Sequence, residues 1–320
     1  MKPGKLDNET LDRLILSKFK QTRAESYGPP RIGMDCATLD FSDDLIVTSC
    51  DPITSADWQR IGALSVHVNC NDAAAGGAEP VGLLVTLLLP TDATEEIVDH
   101  IATDLQRAAQ LAGVDILGGH TEVTDAVSRV VTCTTVLARM PKANAMQGAE
   151  IGDDLVMTKW AGLEGTMLIA QEHQNLLQAV YPDLIAEACR LDSFLSVVPE
   201  SRIAKSLGAH AMHDVTEGGV LGAVWEIAAQ NHLGAVVDPD VIPVLPCTRA
   251  ITDAIGLDPY RLMASGSMLI ACSDGNRMCE ALKAEGIAVA VIGKITDSGF
   301  VFTDGTPIDP PRADELYRLF

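Results

Sequence analysis

A chain of 320 residues exceeds the usual single core, and 47% hydrophobic residues with only 4% aromatics leave Ala, Val, Leu and Ile to do the packing. That mix predicts two α/β domains and excludes a disordered chain. The formal charge of −21 argues against a nucleic-acid groove, which needs clustered Lys and Arg, and against an anionic membrane surface.

In chain order, Asp7 or Asn8 is placed to cap a helix running through Leu11 to Phe19. Residues 45–50 form a continuous β-prone run expected as a buried strand, with Asp51 at its exit. A helix should follow from Ser55 towards Ala75, stopped by Gly76-Gly77, and then a strand over 81–89. Ile97, Ile101, Leu105 and Ala108 share one face of an amphipathic helix over 95–111 that Gly113 ends. A short strand at 114–117 should deliver Gly118-Gly119 as a turn, before a longer strand at 128–138. Residues 140–145 are the expected linker, which gives domains of 1–142 and 143–320. In the second, a turn and strand start at Gly152, with helices at 162–173, 176–190, 217–230 and 275–286.

None of the eight cysteines forms Cys-x-x-Cys, so reduced thiols in a cytoplasmic protein are expected rather than zinc or a disulfide framework. The N-terminus lacks the apolar core of a signal peptide, and the longest apolar run, 81–89, is too short to span a bilayer. No Gly-x-x-x-x-Gly-Lys-Ser/Thr loop, Gly-x-Gly-x-x-Gly turn or Gly-x-Ser-x-Gly elbow is present.

Carboxylates beside glycines recur instead. They occur in Gly33-Met34-Asp35-Cys36-Ala37, at Asp51, in Asn69-Cys70-Asn71-Asp72, in Gly118-Gly119-His120-Thr121-Glu122 and in His213-Asp214-Val215-Thr216-Glu217-Gly218-Gly219. Such oxygen-rich positions suit magnesium, which combines a few carboxylates with the phosphates of its ligand. Asp35 also fits a plain turn, and Asp51 fits a strand end or a ligand equally. Asn71 and Asp72 are poor helix formers placed mid-helix, which favours a binding role. Gly118-Gly119 suits either a turn or a phosphate cradle. His210 and His213 are weak as a metal pair, His67 and His100 read as helix residues without chemistry, and Trp58, Trp160 and Trp225 read as core or interface anchors.

Taken in order over residues 30–300, these segments resemble the superfamily of aminoimidazole ribonucleotide synthetase, selenophosphate synthetase, thiamine-monophosphate kinase and the hydrogenase maturation protein HypE. Asn71-Asp72 through Gly77-Ala78-Glu79-Pro80 is similar to its Asn-Asp-x-x-x-x-Gly-Ala-x-Pro helix end, the most specific match. Gly33-Met34-Asp35 resembles its Gly-x-Asp-x-Ala segment, Gly162-Leu163-Glu164-Gly165-Thr166 its Gly-x-Glu-Gly-Thr, and Asp214 to Gly219 its Asp-x-Thr-x-Gly-Gly. The resemblance implies an α/β (α+β) PurM-like fold in two domains, with the N-terminal sheet pairing with a partner subunit's into a barrel. It implies a homodimeric enzyme that uses ATP and Mg2+ on a small-molecule substrate, with a maturation partner protein as a further possibility. By this correspondence Asp35, Asp51, Asn69, Asn71, Asp72, Gly118, Gly119 and Thr121 bind the nucleotide, and Asp35, Asp51, Asp72 and Glu122 bind metal. Asp214, Glu217 and His120 are the catalytic candidates, the second domain closing over the nucleotide. His120 stands where many relatives carry an acid, and the last cysteine is Cys279, so the C-terminal cysteine chemistry of HypE is not expected. A small-molecule kinase and a nucleotide-binding maturation or regulatory protein with little turnover remain as alternatives.

Overall fold

The computed structural model describes residues 4–5, 8–26, 29–30, 39–54, 56–142, 146–311 and 313–319. The segment holding Gly33, Asp35 and Cys36 lies outside them. The chain divides into two compact units, residues 1–74 with 78–145 and residues 75–77 with 146–320. Among the described residues no helix is long and apolar enough to cross a membrane.

The first unit contains strands β1 (Gly4–Lys5), β2 (Leu45–Ile53), β3 (Glu79–Leu89), β4 (Asp115–Val123) and β5 (Val131–Met140), and helices α1 (Asn8–Leu14), α2 (Ile61–Ala75) and α3 (Glu95–Ala112). The sheet order is β1-β4-β3-β5-β2. Only β3 and β4 are parallel, as expected for strands joined through a crossover helix, here α3. Val98, Ile101, Leu105, Ala108 and Ala112 form the buried stripe of α3. Thr94 caps its start by accepting the Ile97 N–H, and Gly113 ends it at φ 72°.

Helix α2 is buried all round. Leu64, Val66, Cys70, Ala73 and Ala74 lie inside, and so do Ser65, Asn69 and Asn71. Gly62 permits the approach to α3, because a Cβ there would stand 2.9 Å from the Ile101 carbonyl oxygen. Asp104 of α3 accepts the Ala63 N–H at 2.7 Å, satisfying a donor of the first turn of α2.

Three expectations are corrected for this unit. The run at 45–50 is not a buried strand: among the described residues β2 is an edge strand paired only to β5, and Leu45 and Ile46 are exposed. Asp51 therefore lies inside the strand, opposite Thr134, not at its exit. Gly118-Gly119 is not a turn but part of β4, where a register shift places Ile116 opposite Leu83 and Gly118 opposite Leu84. A Cβ on Gly119 would fall 1.8 Å from the Val85 carbonyl oxygen, at φ 146°. The glycine is required by the closeness of β3.

The second unit contains β6 (Asp154–Thr158), β7 (Ala211–Asp214), β8 (Gly234–Val237), β9 (Met268–Cys272), β10 (Val289–Thr296) and β11 (Phe300–Phe302). They form a sheet in the order β11-β8-β10-β6-β9-β7. Its helices are α4 (Leu163–Glu172), α5 (Pro182–Ala188), α6 (Val198–Ser206), α7 (Gly219–Ala229), α8 (Pro246–Ile255) and α9 (Gly275–Ala284). The helix expected over 176–190 is shorter, because Pro182 occupies the first turn of α5, where its missing N–H costs nothing. Trp225 stacks on Phe300 at 3.7 Å between centroids and donates to the Ile308 carbonyl, as an internal anchor.

Gly119→Ala is expected to cost about 3 kcal/mol or more, since backbone must move to admit the methyl group. Urea unfolding with an unchanged midpoint would contradict this account of β4.

Candidate functional site

In the first unit the polar row of α2 meets the edge strand. Ser49 Oγ donates to Asp72 Oδ2 at 2.7 Å. Side chains alternate along a strand, so Ser49 and Asp51 face the same side, towards α2. The Asp51 N–H donates to Asn69 Oδ1 at 2.9 Å. Asn69 Nδ2 donates to the Ser65 carbonyl at 3.0 Å and stands 3.5 Å from the Asp51 carbonyl. The side-chain amide of Asn69 thus takes the place of a neighbouring strand at Asp51. Asn69 and Asn71 are fully buried, while Asp51 and Asp72 are partly exposed. Two partly exposed carboxylates on the side of the strand facing α2, one of them bonded to the Ser49 hydroxyl, are an oxygen set that fits magnesium sharing its remaining positions with phosphates. Among the described residues no group of three or more His, Cys, Asp or Glu is arranged to hold a metal without such help.

Not all of the expected residues gather there. Ser65 Oγ lies 2.6 Å from Thr132 Oγ1, which turns the buried row of β5 towards α2 and the Cys133 row away from it. Thr86 lies opposite Cys133 and His120 opposite Thr86, so His120 belongs to the row facing away from α2. His120 Nε2 pairs there with Glu122 Oε2 at 3.4 Å, both side chains exposed. Within one chain, His120 and Glu122 therefore lie across the sheet from Asp51 and Asp72. Thr121 is buried, and Gly118 and Gly119 pair with β3. Asp35 lies outside the described residues.

In the second unit Asp214 ends β7 and is buried. Gly218 and Gly219, at φ 82° and 62°, turn the chain into α7. A Cβ on Gly219 would stand 2.6 Å from the Tyr260 carbonyl oxygen. The expected opening of this helix end towards a phosphate is not what is seen. Asp314 Oδ2 accepts the Gly218 N–H at 2.8 Å, while its Oδ1 accepts the Leu316 N–H at 2.8 Å. The chain's own carboxylate holds that helix start.

Asp314 is buried and its carboxyl is pushed up, chiefly by burial, against the pull of three backbone N–H groups. Glu164, in the first turn of α4, is pushed up to about 7 by burial, opposed by a hydrogen bond with Ser265 and reinforced by Glu217 and Asp314. Glu217 itself is exposed and hydrogen-bonds Tyr317, whose hydroxyl is raised by burial and by these carboxylates. Sequence reasoning placed Glu164 in a motif without assigning it a role, and it missed Asp314, which sits in an acidic tail without periodicity. Lys159 was also missed. Its ammonium is buried, pairs with Glu200 at 2.5 Å and donates to the Ser196 and Gly266 carbonyls at 2.6 and 2.7 Å. The two histidines weighed as a metal pair take separate partners, His210 with Asp153 at 2.9 Å and His213 with Glu226 at 3.3 Å.

Residues 33–140 match the family described as AIR synthase related protein, N-terminal domain, and residues 150–304 match its C-terminal domain. The chain is 27% identical over 295 residues to the carbamoyl dehydratase HypE of Escherichia coli, covering 88% of this chain and 84% of that protein. The crystal structure of E. coli HypE, a hydrogenase maturation protein, superposes with a TM-score of 0.82 at 24% identity, over 98% of this chain and 100% of the other. A structure of HypE in complex with ATP gives a TM-score of 0.77 at 22% identity, over 96% and 95%. The two-domain PurM-like fold is the one the sequence led us to expect.

Glu164 yields a pH prediction. In the folded chain it keeps its proton from its ordinary 4.5 up to about 7, so the native state binds more protons than the unfolded one. Stability then falls as pH rises through that window, by about 3 kcal/mol at most. Glu164→Gln should match the parent near pH ~5 and exceed it by up to about 3 kcal/mol near pH ~8 in urea titrations. Equal stability at both values would show that the carboxyl is not held neutral.

Proposed function

We propose that this chain, which belongs to the AIR synthase related protein family, is an ATP- and magnesium-dependent enzyme that activates a small acceptor by phosphoryl transfer. The relatives named carbamoyl dehydratase HypE, and a HypE structure containing ATP, support the use of ATP. The arrangement of Ser49, Asp51, Asn69 and Asp72 supports its place in the first unit.

In this assignment Asp51 and Asp72 would hold magnesium, with Asp35 as a further ligand, and the ion would neutralise charge on the phosphates. Phosphoryl transfer asks the protein mainly for position and charge balance. Asn69 contributes by fixing the backbone of Asp51, its own side chain being committed to that bond. Asn71, Gly118, Gly119 and Thr121 are assigned to the nucleotide's surroundings. The free cysteines among the described residues fit a cytoplasmic protein.

Asp51→Asn and Asp72→Asn should each weaken binding of a non-hydrolysable ATP analogue at least about tenfold (1.4 kcal/mol) when magnesium is present, and change it little when magnesium is absent. Each should leave the unfolding free energy within about 1 kcal/mol of the parent. Unchanged magnesium-dependent affinity in both variants, measured by titration calorimetry, would remove the site from this face.

A two-fold homodimer completes the assignment. Among the described residues β2 has no strand partner besides β5, Leu45 and Ile46 are exposed on it, and Leu84 is exposed on β3. Exposed edges of this kind invite pairing unless covered. Light scattering should report twice the chain mass at micromolar concentration, and a monomer throughout would oppose the dimer.

A further inference from the structure

The buried row of β5 turns two threonines towards α2, and their hydroxyls are treated differently. Thr132 is fully buried, and its Oγ1 lies 2.6 Å from Ser65 Oγ, which also donates to the Ile61 carbonyl. Thr134, the next residue of the row, is fully buried as well. Among the described residues its Oγ1 has no hydrogen-bond partner. A buried hydroxyl left unpaired lowers stability, and an apolar residue of the same shape avoids that cost. Val136, one step further along the row and also fully buried, is such a residue.

In the ladder Thr134 lies directly opposite Asp51 on one side and Val85 on the other. Directly opposed residues on one face hold their Cβ atoms about 4.5–5.5 Å apart. Ser49 and Asp51 face α2, and so do Thr132 and Thr134. Val85 has no acceptor to offer in its side chain. The Asp51 backbone is engaged by Asn69, so its carboxylate is the acceptor within reach of the Thr134 hydroxyl.

We propose that Thr134 is a positioning residue of the magnesium site, its hydroxyl donating to the Asp51 carboxylate when the cation is held there. The inference rests on the assignment of magnesium to Asp51 and Asp72. A carboxylate that gives one oxygen to a cation leaves the other to accept a hydrogen bond, and such outer donors fix the orientation of metal ligands. Ser49 already does this for Asp72, donating to its Oδ2 at 2.7 Å. Thr134 is placed to do the same for Asp51 from the neighbouring strand. Each carboxylate then has a hydroxyl of its own, one from β2 and one from β5. The Ser49 bond is already made, whereas Thr134 holds a donor in reserve. A donor buried without an acceptor gains most from one that arrives on binding, so the bond contributes to affinity and not to the stability of the fold.

The full-length parent, Thr134→Val and Thr134→Ser are titrated by calorimetry with the β,γ-imido analogue of ATP, with and without magnesium, and unfolded in urea with neither present. Thr134→Val should lose about tenfold in affinity when magnesium is present and lose none without it. Its urea midpoint should equal or exceed the parent's, because an unpaired buried hydroxyl has gone. Thr134→Ser, which keeps the hydroxyl, should bind like the parent. Adding Thr134→Val to Asp51→Asn should weaken binding no further than Asp51→Asn alone, since the hydroxyl acts through that carboxylate. Magnesium-dependent affinity in Thr134→Val equal to the parent's, or an equal loss in Thr134→Ser, would overturn the role of the hydroxyl and leave Asp51 in place. A lowered urea midpoint for Thr134→Val, or its failure to fold, would overturn it too, by giving the hydroxyl a structural partner. A parent whose affinity ignores magnesium would overturn the reading of the whole site, and this inference with it.

Discussion

The bond between the Asn69 side chain and the Asp51 backbone sets most of what matters in the first unit. An edge strand leaves N–H and C=O groups facing away from its neighbour, and a helix pressed against that edge must satisfy them or bury them at a cost of about 1–3 kcal/mol each. Asn69 accepts the Asp51 N–H from a fully buried position on α2. That contact requires α2 to lie along β2. Once α2 is so placed, Asp72 meets Ser49, and the carboxylates of Asp51 and Asp72 stand on one side of the strand. Residues that weaken a helix in isolation are here the ones that dock it.

The two units treat carboxylates in opposite ways. Asp51 and Asp72 are partly exposed and have oxygens to offer a cation. In the second unit Glu164 and Asp314 are withdrawn from water, and burial keeps protons on them to higher pH than usual. Asp314 is balanced by backbone N–H groups, including that of Gly218 at the start of α7. A helix start already holding an internal carboxylate is a different object from one open to a phosphate, so Asp214 to Gly219 cannot be assigned from the motif alone. Holding protons is one way for a chain of charge −21 to limit repulsion where acids cluster, as around Glu164.

Much of this was legible in the residues. α3 announced itself by its apolar stripe and terminal Gly113, and Asn71 and Asp72 drew notice as polar residues inside a helix. The exposure of β2 was not legible, because a run such as Leu45-Ile46-Val47 reads the same whether a strand lies inside a sheet or waits at its edge. Gly118-Gly119 read as a turn because paired glycines usually mark one, whereas here they answer the closeness of the Val85 carbonyl, a long-range contact. The roles of Asp314 and Lys159 depend on partners 96 and 107 residues away, Gly218 and the Gly266 carbonyl, and no local pattern carries such information. The side of the sheet taken by His120 depended on register, which the bulge in β4 reset.

The central claim is that magnesium and nucleotide meet the chain where α2 docks on β2. Hydrogen–deuterium exchange, followed by peptide with magnesium, with a non-hydrolysable ATP analogue and with both, tests it most directly. Slowed exchange over residues 45–53 and 61–75, strongest when both are present, is the predicted result. Protection that spares these two segments, or that is the same without magnesium, would contradict it.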